Sequence, residues 1–377
     1  MIKIRNREIV ESWNRRNDVR IKVMPAVAIL IVLMSSFFVG NEEEKEPVKK
    51  GLDAITIQTT REHVEFLSDD ELSGRRVGSA GALKAADYIA SCLKDMGIAP
   101  YEESYFQDIG LDKIEKITIS GGLFPVNRLP GEASFIRNVL GKIEGKNKDE
   151  YIIVGAHYDH IGLSSDTTLN DRIFNGADDN ASGVSAILQI AKAFIATDEL
   201  PQKTIIFAFW DAEEIGLIGS KCFVALHEDI SKVKSYLNLD MIGRNNNDTC
   251  LQVAFLYSDT TINYGQQIKE NIERYELNLE SVTDDNTINR SFSQGSNINF
   301  ENTNFKLSRL FRGSSDNASF EAKGVPIFLF TTGLHLDYHK TSDHAEKISW
   351  AKLSDICKLS FLTAYKLANE ESEKTDN

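Results

Sequence analysis

Residues 151–183, YIIVGAHYDHIGLSSDTTLNDRIFNGADDNASG, decide the fold of this chain. The β-branched run Ile152-Ile153-Val154 is typical of a strand that is buried on both faces. An amphipathic helical pattern begins at Ala181, directly after two acids and an amide that would cap a helix. A buried strand followed by a helix predicts one unit of an α/β fold.

Three further apolar runs resemble this strand, and acids or histidines follow each of them. The runs and the residues that follow them are 204–210 with Glu213 and Glu214, 235–239 with Asp240, and 326–330 with His339. Helical patterns separate the runs, so we expect an α/β protein with three layers, α/β/α, around a central mixed, mostly parallel sheet. Ligands bind at the carboxyl ends of strands in such sheets, so the four clusters predict one site.

Elsewhere the patterns predict a less regular arrangement. Residues 52–72 have a helical pattern, and a second helix is predicted between a cap at Ser79 and Gly97. Residues 105–126 alternate between apolar and polar side chains, which predicts antiparallel strands or a hairpin. Residues 280–312 are rich in Asn, Ser and Thr, and we expect long loops there.

The side chains at the four strand ends are of the types that bind zinc. Zinc takes imidazole nitrogens and carboxylate oxygens, and His157 and Asp179 lie at either end of the loop that follows the first strand. A carboxylate has two oxygens, so that one aspartate can join two ions. A helix cap would explain only one of the acids, whereas a divalent metal site explains the whole set.

Five motifs across roughly residues 52–370 stand in the order and at the spacing of one known family. They are His157 in AHYDH, Asp179 in GADDNASG, Glu213-Glu214 after an apolar strand, Asp240 in NLDM and His339 in DYHKTSD. Together they resemble the co-catalytic zinc exopeptidases, which include bacterial leucyl aminopeptidases, aminopeptidase Y and, more distantly, glutamate carboxypeptidase. The resemblance implies two zinc ions, and cobalt or manganese could replace them because carboxylate-rich sites accept several metals. The implied ligands are His157 and Asp240 for one ion, Glu214 and His339 for the other, and Asp179 for both.

The same resemblance implies roles in catalysis. Glu213 would be the general base, since consecutive residues at a strand end point in different directions and Glu214 can then reach the metal. Tyr338 resembles the tyrosine with which some members of the family stabilise the oxyanion. In the family the peptide bond after the bridging aspartate is cis, so we expect a cis bond between Asp179 and Asn180.

Two further acids are expected to support these residues. Asp159 lies two residues after His157, on the same face if the strand continues, and would hold the imidazole N–H. Asp316 lies in a segment that often reads Ser-Asp-His in the family, although Asn317 replaces the histidine here.

The remaining candidates have more ordinary interpretations. Asp178 is interpreted as a loop or capping acid and His160 as a residue on the rim of the site. His335 could share a metal with His339, but the Tyr-His-x-x-x-Asp context favours His339 as the ligand. Arg312 could hold a substrate carbonyl or carboxylate, or it could be a solvated surface group.

The N-terminal region predicts export from the cytoplasm. A basic stretch precedes the apolar run 23–39, and acids follow it, which predicts an outward orientation. The run is intermediate in length between a signal-peptide core and a membrane span, so both remain open, and membrane attachment through residues 23–39 is one outcome. The predicted segments are a basic tail (1–22), a signal peptide or membrane anchor (23–40), a linker (41–51), the di-zinc peptidase domain (52–370) and a disordered tail (371–377).

The net charge and the motifs together decide between classes of function. The formal net charge of −14 argues against nucleic acid as a partner, because a phosphate backbone requires basic contacts. We expect a zinc-dependent exopeptidase that hydrolyses N-terminal residues from peptides. A carboxypeptidase, a dipeptidase or another amide hydrolase of the same fold remains an alternative. A non-catalytic, receptor-like domain is an alternative of another class, and it would bind no stoichiometric zinc.

Overall fold

The structure is a computed structural model, and it describes residues 45–121, 133–244, 252–257, 264–282 and 315–371. Contacts divide the chain into one unit of residues 1–49 and another of residues 50–377. Only residues 45–49 of the first unit are described, and the second unit carries the sheet and the site. In the described ranges, none of the helices combines the length and apolar character that crossing a bilayer requires. The apolar run 23–39 lies outside these ranges.

Helices and strands alternate along most of the described chain. The helices are α1 (Lys45–Ala54), α2 (Ile57–Leu67), α3 (Ala80–Asp95), α4 (Leu111–Gly121), α5 (Gly183–Ala196), α6 (Ile218–Leu226), α7 (Tyr264–Arg274), α8 (Asn317–Glu321) and α9 (Trp350–Asn369). The strands are β1 (Ala99–Pro100), β2 (Phe106–Gly110), β3 (Phe135–Ile143), β4 (Asn147–His157), β5 (Gly162–Leu163), β6 (Ile173–Phe174), β7 (Lys203–Trp210), β8 (Val233–Leu239), β9 (Gln252–Tyr257), β10 (Glu280–Val282) and β11 (Ile327–Thr331).

Nine strands of the described residues form one mixed sheet in the order β1-β3-β7-β4-β8-β11-β9-β10, with β2 also paired to β3. The four central strands β7, β4, β8 and β11 run parallel to one another. Antiparallel pairs flank them, β3 with β7 on one side and β11 with β9 on the other. The expected mixed sheet of an α/β fold is therefore confirmed, with the parallel strands at its centre, where the site residues are located.

Alternate residues of β7 face opposite helical layers. The ring centroid of Trp210 lies 5.1 Å from that of Phe223 in α6, on one face of the sheet. The ring centroid of Phe207 lies 6.5 Å from that of Phe194 in α5, on the other face. All residues of β7 are buried, which explains why this strand reads as a continuous apolar run. The sheet is thus covered on both faces, as expected for three α/β/α layers.

Residues 105–126 differ from the predicted strands or hairpin. In the described part of this range, residues 105–121, β2 is the only strand, and α4 follows it at once, from Leu111. Leu111, Ile114 and Ile117 recur at a spacing of three residues and pack on one hydrophobic cluster, with Ile114 fully buried. This helical period competes with the alternation that suggested strands, and tertiary packing favours the helix.

Several helices also begin at residues other than those predicted. Helix α1 occupies residues 45–51 of the segment predicted as a linker, and Pro47 lies in its first turn, where proline is tolerated. The cap at Ser79 is confirmed, since its Oγ accepts the N–H of Ala82 at 3.1 Å. The helix after the site begins at Gly183, because residues 177–182 form an irregular turn. Predictions for residues 1–44 and 372–377, and for most of the loop region 280–312, lie outside the described residues.

Candidate metal centre

The five predicted metal ligands meet at one edge of the sheet. His157 is the last residue of β4, Asp240 directly follows β8, and the other three lie in turns next to β7, α5 and β11. Because β7, β4, β8 and β11 are neighbouring parallel strands, their carboxyl ends adjoin at this edge. The structure therefore brings together residues that are up to 182 positions apart in the sequence, as the strand-end argument predicted.

His157, Asp179 and Asp240 form one half of the centre. The Nε2 atom of His157 lies 3.3 Å from Oδ1 of Asp179 and 3.7 Å from Oδ1 of Asp240. One donor atom from each of the three residues falls within 4.8 Å of the others. On the other side of the ring, His157 Nδ1 lies 3.1 Å from the main-chain oxygen of Asp159. A proton on Nδ1 leaves the Nε2 lone pair free for a metal ion.

His339, Glu214 and the second oxygen of Asp179 form the other half. The Nε2 atom of His339 lies 3.1 Å from Oε2 of Glu214 and 3.2 Å from Oδ2 of Asp179. Burial lowers the pKa of His339, but the carboxylates of Asp179 and Glu214 outweigh this effect and raise that pKa to about 10. The two oxygens of Asp179 thus face two different histidines, which is the arrangement that a bridging carboxylate requires.

The chemistry of this cluster fits a bound cation. Burial and the carboxylate of Glu214 raise the pKa of Glu213 well above its usual range, although His157 opposes this shift. Buried carboxylates at this density are costly unless positive charge compensates them. Oδ2 of Asp179 is buried and makes no hydrogen bond within the described part of the chain. Imidazole nitrogens together with carboxylate oxygens are a donor set that zinc accepts.

Asn180, the residue after Asp179, attaches the turn that carries them both to the end of strand β8. The peptide bond between Asp179 and Asn180 is cis, as predicted. The side chain of Asn180 donates to the main-chain oxygen of Leu239 at 2.9 Å and accepts the N–H of Gly183 at 3.0 Å. The amide of Asn180 therefore connects the Asp179 turn to the end of β8, next to Asp240.

A cavity of about 140 Å³ opens over the predicted ligands. Glu213 lines it, with its Oε2 atom 3.9 Å from Nε2 of His157. Tyr338 also lines it and stacks its ring on that of His339, with centroids 3.8 Å apart. Both predicted catalytic residues therefore face the space in which a substrate would meet the metal ligands. Apolar side chains complete the wall, including Met241, Leu329 and Leu334.

The two predicted supporting acids are both fully buried beside the centre. The Oδ1 atom of Asp159 lies 3.7 Å from His157 Nδ1, too far for a hydrogen bond, and accepts the N–H of Glu213 at 3.0 Å instead. Asp159 therefore supports His157 through its main-chain oxygen, and its carboxylate holds the backbone of Glu213. Asp316 is also inaccessible to solvent, and burial raises its pKa to about 7.

His160 is not the rim residue that we expected. It is 1% exposed, and its Nδ1 atom lies 2.5 Å from Oε1 of Glu214. Strand β4 ends at His157, so residues 158–160 turn inward rather than continue along the edge. Each oxygen of Glu214 therefore faces one histidine, His160 on one side and His339 on the other.

Arg75 is a buried residue that the sequence patterns did not single out. Its guanidinium donates to the main-chain oxygens of Leu67, Tyr158, Asn175 and Gly176. Burial lowers the pKa of Arg75 to about 10, and Asp179 is the strongest of the nearby acids that oppose this shift. Arg75 thus joins the loop after β4 to the segment before Asp179, and it places a positive charge beneath the acids.

His335 and Asp178, which were not favoured as metal ligands, pair with each other. Nε2 of His335 lies 3.2 Å from Oδ2 of Asp178, and both side chains are buried. Asp178 also accepts the N–H of Gly243 at 2.6 Å. Asp178 is therefore a buried loop acid, in line with its interpretation as a residue other than a ligand. Arg312 lies outside the described residues.

The fold and the cluster of imidazoles and carboxylates define an α/β protein with a candidate metal centre. The sequence profile of peptidase family M28 matches residues 138–363, more than half of the chain, and the chain belongs to that family. This confirms the resemblance that the five motifs carried.

Individual relatives agree with this assignment over part of their length. Leupeptin-inactivating enzyme 1 of Streptomyces exfoliatus is 28% identical over 212 residues, 56% of this chain and 38% of that protein. Leucine aminopeptidase 2 of Trichophyton rubrum is 37% identical over 111 residues, 29% of this chain and 20% of that protein. The chain thus spans less than two fifths of the length of either relative.

A solved structure shows the same fold over a larger share of both chains. The zinc aminopeptidase from Bacillus subtilis matches with a TM-score of 0.59 and 18% identity. The match covers 85% of this chain and 97% of that one. At this level of identity the similarity is one of fold.

Proposed function

We propose that this chain is a zinc-dependent exopeptidase that hydrolyses N-terminal residues from peptides. The observation that carries the proposal is the position of Asp179, whose Oδ1 and Oδ2 atoms lie 3.3 Å from His157 and 3.2 Å from His339. Glu213 lines the cavity over these residues. A non-catalytic domain would have no need of an acid that lines the cavity beside the proposed ligands.

The described side chains provide ligands for two ions. His157 and Asp240 would hold one ion, Glu214 and His339 the other, and Asp179 would bridge them. Bound zinc would polarise the carbonyl of the substrate and make a bound water more acidic. Cobalt or manganese could serve in place of zinc, since the site is rich in carboxylates.

Glu213 is the residue that moves protons in this proposal. It accepts a proton from the attacking water and then donates it to the amine that leaves. Its backbone is held by Asp159, and its carboxylate faces the cavity beside His157. A high pKa suits the second step, in which Glu213 acts as an acid, and positive charge near Glu213 favours the ionised form needed for the first step.

Tyr338 would stabilise the negative charge that develops on the carbonyl oxygen. Burial and the surrounding acids, Asp179 first among them, raise the pKa of its hydroxyl above the ordinary value. The hydroxyl therefore remains protonated at neutral pH and can donate a hydrogen bond. The stacking of its ring on His339 directs Tyr338 to the same cavity.

A free substrate amine fits the negative charge of this site better than a free carboxylate does. The acids Glu213 and Asp240 line the cavity, whereas none of the described residues that line it is a lysine or an arginine. The names of two similar proteins, a leucine aminopeptidase and a zinc aminopeptidase, also favour cleavage from the amino end. A carboxypeptidase would need a cation for the terminal carboxylate.

The substrate assignment is tested with matched pairs of substrates. Purified full-length protein is assayed on aminoacyl anilides, on the same anilides with an acetylated amino group, on peptides blocked only at the carboxyl end, and on peptides blocked only at the amino end. We expect hydrolysis of every substrate with a free amino group and none of the acetylated ones. Cleavage that requires a free carboxylate would move the protein to the carboxypeptidase alternative, and binding of no zinc would favour the receptor-like one.

We also propose that the peptidase domain works outside the cytoplasm. The support is the charge pattern around the apolar run 23–39, with bases before it and acids after it. Fractionation of cells that express the full chain, with protease added to intact cells, tests the proposal. Residues 52–370 should be exported, and protection of this domain together with the cytoplasmic marker would contradict it.

A further inference from the structure

Asp343 contacts the turn of Asp179 through three consecutive backbone amides. The Oδ2 atom of Asp343 accepts the N–H groups of Asp178 and Asp179 at 3.0 and 3.1 Å. The main-chain oxygen of Asp343 accepts the N–H of Ala177 at 3.1 Å. The side chain of Asp343 is fully buried, so water does not compete for these bonds. Hydrogen bonds to an ionised acceptor are roughly twice as strong as neutral ones.

These bonds act on the residue that faces both ligand clusters. The direction of the Asp179 side chain is set by the backbone of its turn, which Asp343 holds through these hydrogen bonds. Oδ1 of Asp179 is directed toward His157 and Oδ2 toward His339, at 3.3 and 3.2 Å. A change in the turn therefore displaces one ligand from both halves of the centre at once.

The same loop supplies a ligand and two further attachments. His339 lies four residues before Asp343, and His335 pairs with Asp178 at 3.2 Å. Arg244, four residues after Asp240, lies 2.8 Å from Asp337 in this loop. Three ligand-bearing segments, those of Asp179, Asp240 and His339, are thus cross-linked by contacts that involve no ligand side chain.

We propose that Asp343 is a positioning residue for the bridging carboxylate of Asp179 and that it strengthens the binding of both metal ions. Asp343 does not touch the substrate cavity or the ligand side chains, and it acts through the amides of the turn. The inference rests on the proposed function in one respect, the bridging role of Asp179. Loss of the partners that orient metal ligands typically weakens metal affinity by about 10- to 100-fold.

Two substitutions at Asp343 test this role with graded effects. Asp343→Asn keeps the shape and one acceptor oxygen but removes the charge, whereas Asp343→Ala removes the acceptor altogether. We expect the dissociation constants of both zinc ions to rise by about tenfold in the first variant and by up to about 100-fold in the second. The matched control is Asp171→Asn, because Asp171 is a half-exposed acid that pairs with His344, the neighbour of Asp343.

The measurement is a titration of the metal-free full-length proteins with zinc against a chelator of known affinity, with thermal unfolding of each metal-free protein. Weaker binding of both ions in a folded Asp343→Asn protein, with the Asp171→Asn protein unchanged, supports the proposal. Unchanged zinc affinities would overturn it, and so would a loss confined to one ion. If Asp343→Ala does not fold, the near-isosteric Asp343→Asn variant carries the test. If the wild-type chain does not bind two ions, it is the proposed function that fails.

Discussion

Replacement of Glu213 by glutamine separates catalysis from metal binding. The side chain of Glu213 is 11% exposed and lines the cavity, with Oε2 at 3.9 Å from Nε2 of His157. Glutamine has nearly the same shape but cannot accept a proton from water near neutral pH. The proposed ligands Glu214 and Asp179 are left intact by the change.

The expected magnitude follows from the role assigned to the residue. General acid–base catalysis contributes a factor of roughly 10² to 10⁴, which corresponds to about 3 to 5.5 kcal/mol in the activation free energy. We therefore expect kcat to fall by that factor while KM changes little. Burial raises the pKa of Glu213, so its ionised form is disfavoured in the metal-free fold, and glutamine should not lower the stability of that fold.

The assay compares wild type, Glu213→Gln and a matched control on one aminoacyl anilide, with zinc counted in each protein. Glu144→Gln is the control, because Glu144 is an exposed acid that pairs with Lys148 on the surface. Two zinc ions per chain in all three proteins, with activity lost only in Glu213→Gln, would support the general-base role. A Glu213→Gln protein that retains more than a tenth of wild-type kcat would refute this reasoning, and so would one that loses zinc.

Three other predictions concern the centre and its support. His339→Ala should leave the protein with one zinc ion instead of two, as counted by atomic absorption, and retention of both would exclude His339 as a ligand. Zinc affinity should rise with pH between about 6 and 8, by up to tenfold per pH unit for each proton displaced, since zinc must replace the proton that a pKa of about 10 keeps on His339. A competition titration that shows no pH dependence would contradict this. Arg75→Met leaves four buried carbonyl oxygens without their donor. It should lower the free energy of unfolding of the metal-free protein, measured in urea, by about 3 kcal/mol or more. The control Arg76→Met, at a more exposed neighbour, should change that free energy little.

The ligand set could be predicted because two simple rules place it. Buried parallel strands read as continuous apolar runs, and β4, β7 and β11 all show this pattern. The residues that follow such strands meet at the carboxyl edge, so His157 and Asp240 could be placed together without any knowledge of the loops. The exact order of the strands matters little for this prediction, because the four central strands that carry the site residues are neighbours in the sheet.

The residues that contact the predicted ligands and their turns could not be predicted, because their positions depend on how the loops fold back over the carboxyl edge of the sheet. His160 turns inward only because β4 ends three residues earlier, and no periodicity reports where a strand ends to that accuracy. Asp343 lies 164 residues from Asp179, and its role consists of bonds to backbone amides, which carry no sequence signal. Arg75 likewise donates its hydrogen bonds to main-chain oxygens, which carry no sequence signal.

The error at α4 has a different origin. Residues 111–121 satisfy both a weak alternation and a helical spacing, and a short segment can fit both periods. The contacts of Ile114 with the cluster around Ile136 and Ile218 decide for the helix. Such contacts join parts of the chain that no local pattern relates.

In the proposed site, Asp179 bridges two metal ions between His157 and His339. The most direct test is anomalous diffraction at the zinc absorption edge from crystals of the zinc-loaded protein. We expect two peaks about 3.5 to 4 Å apart, one beside His157 and Asp240, the other beside Glu214 and His339, with Asp179 between them. A single peak, or zinc bound away from Asp179, would contradict the bridging role of Asp179.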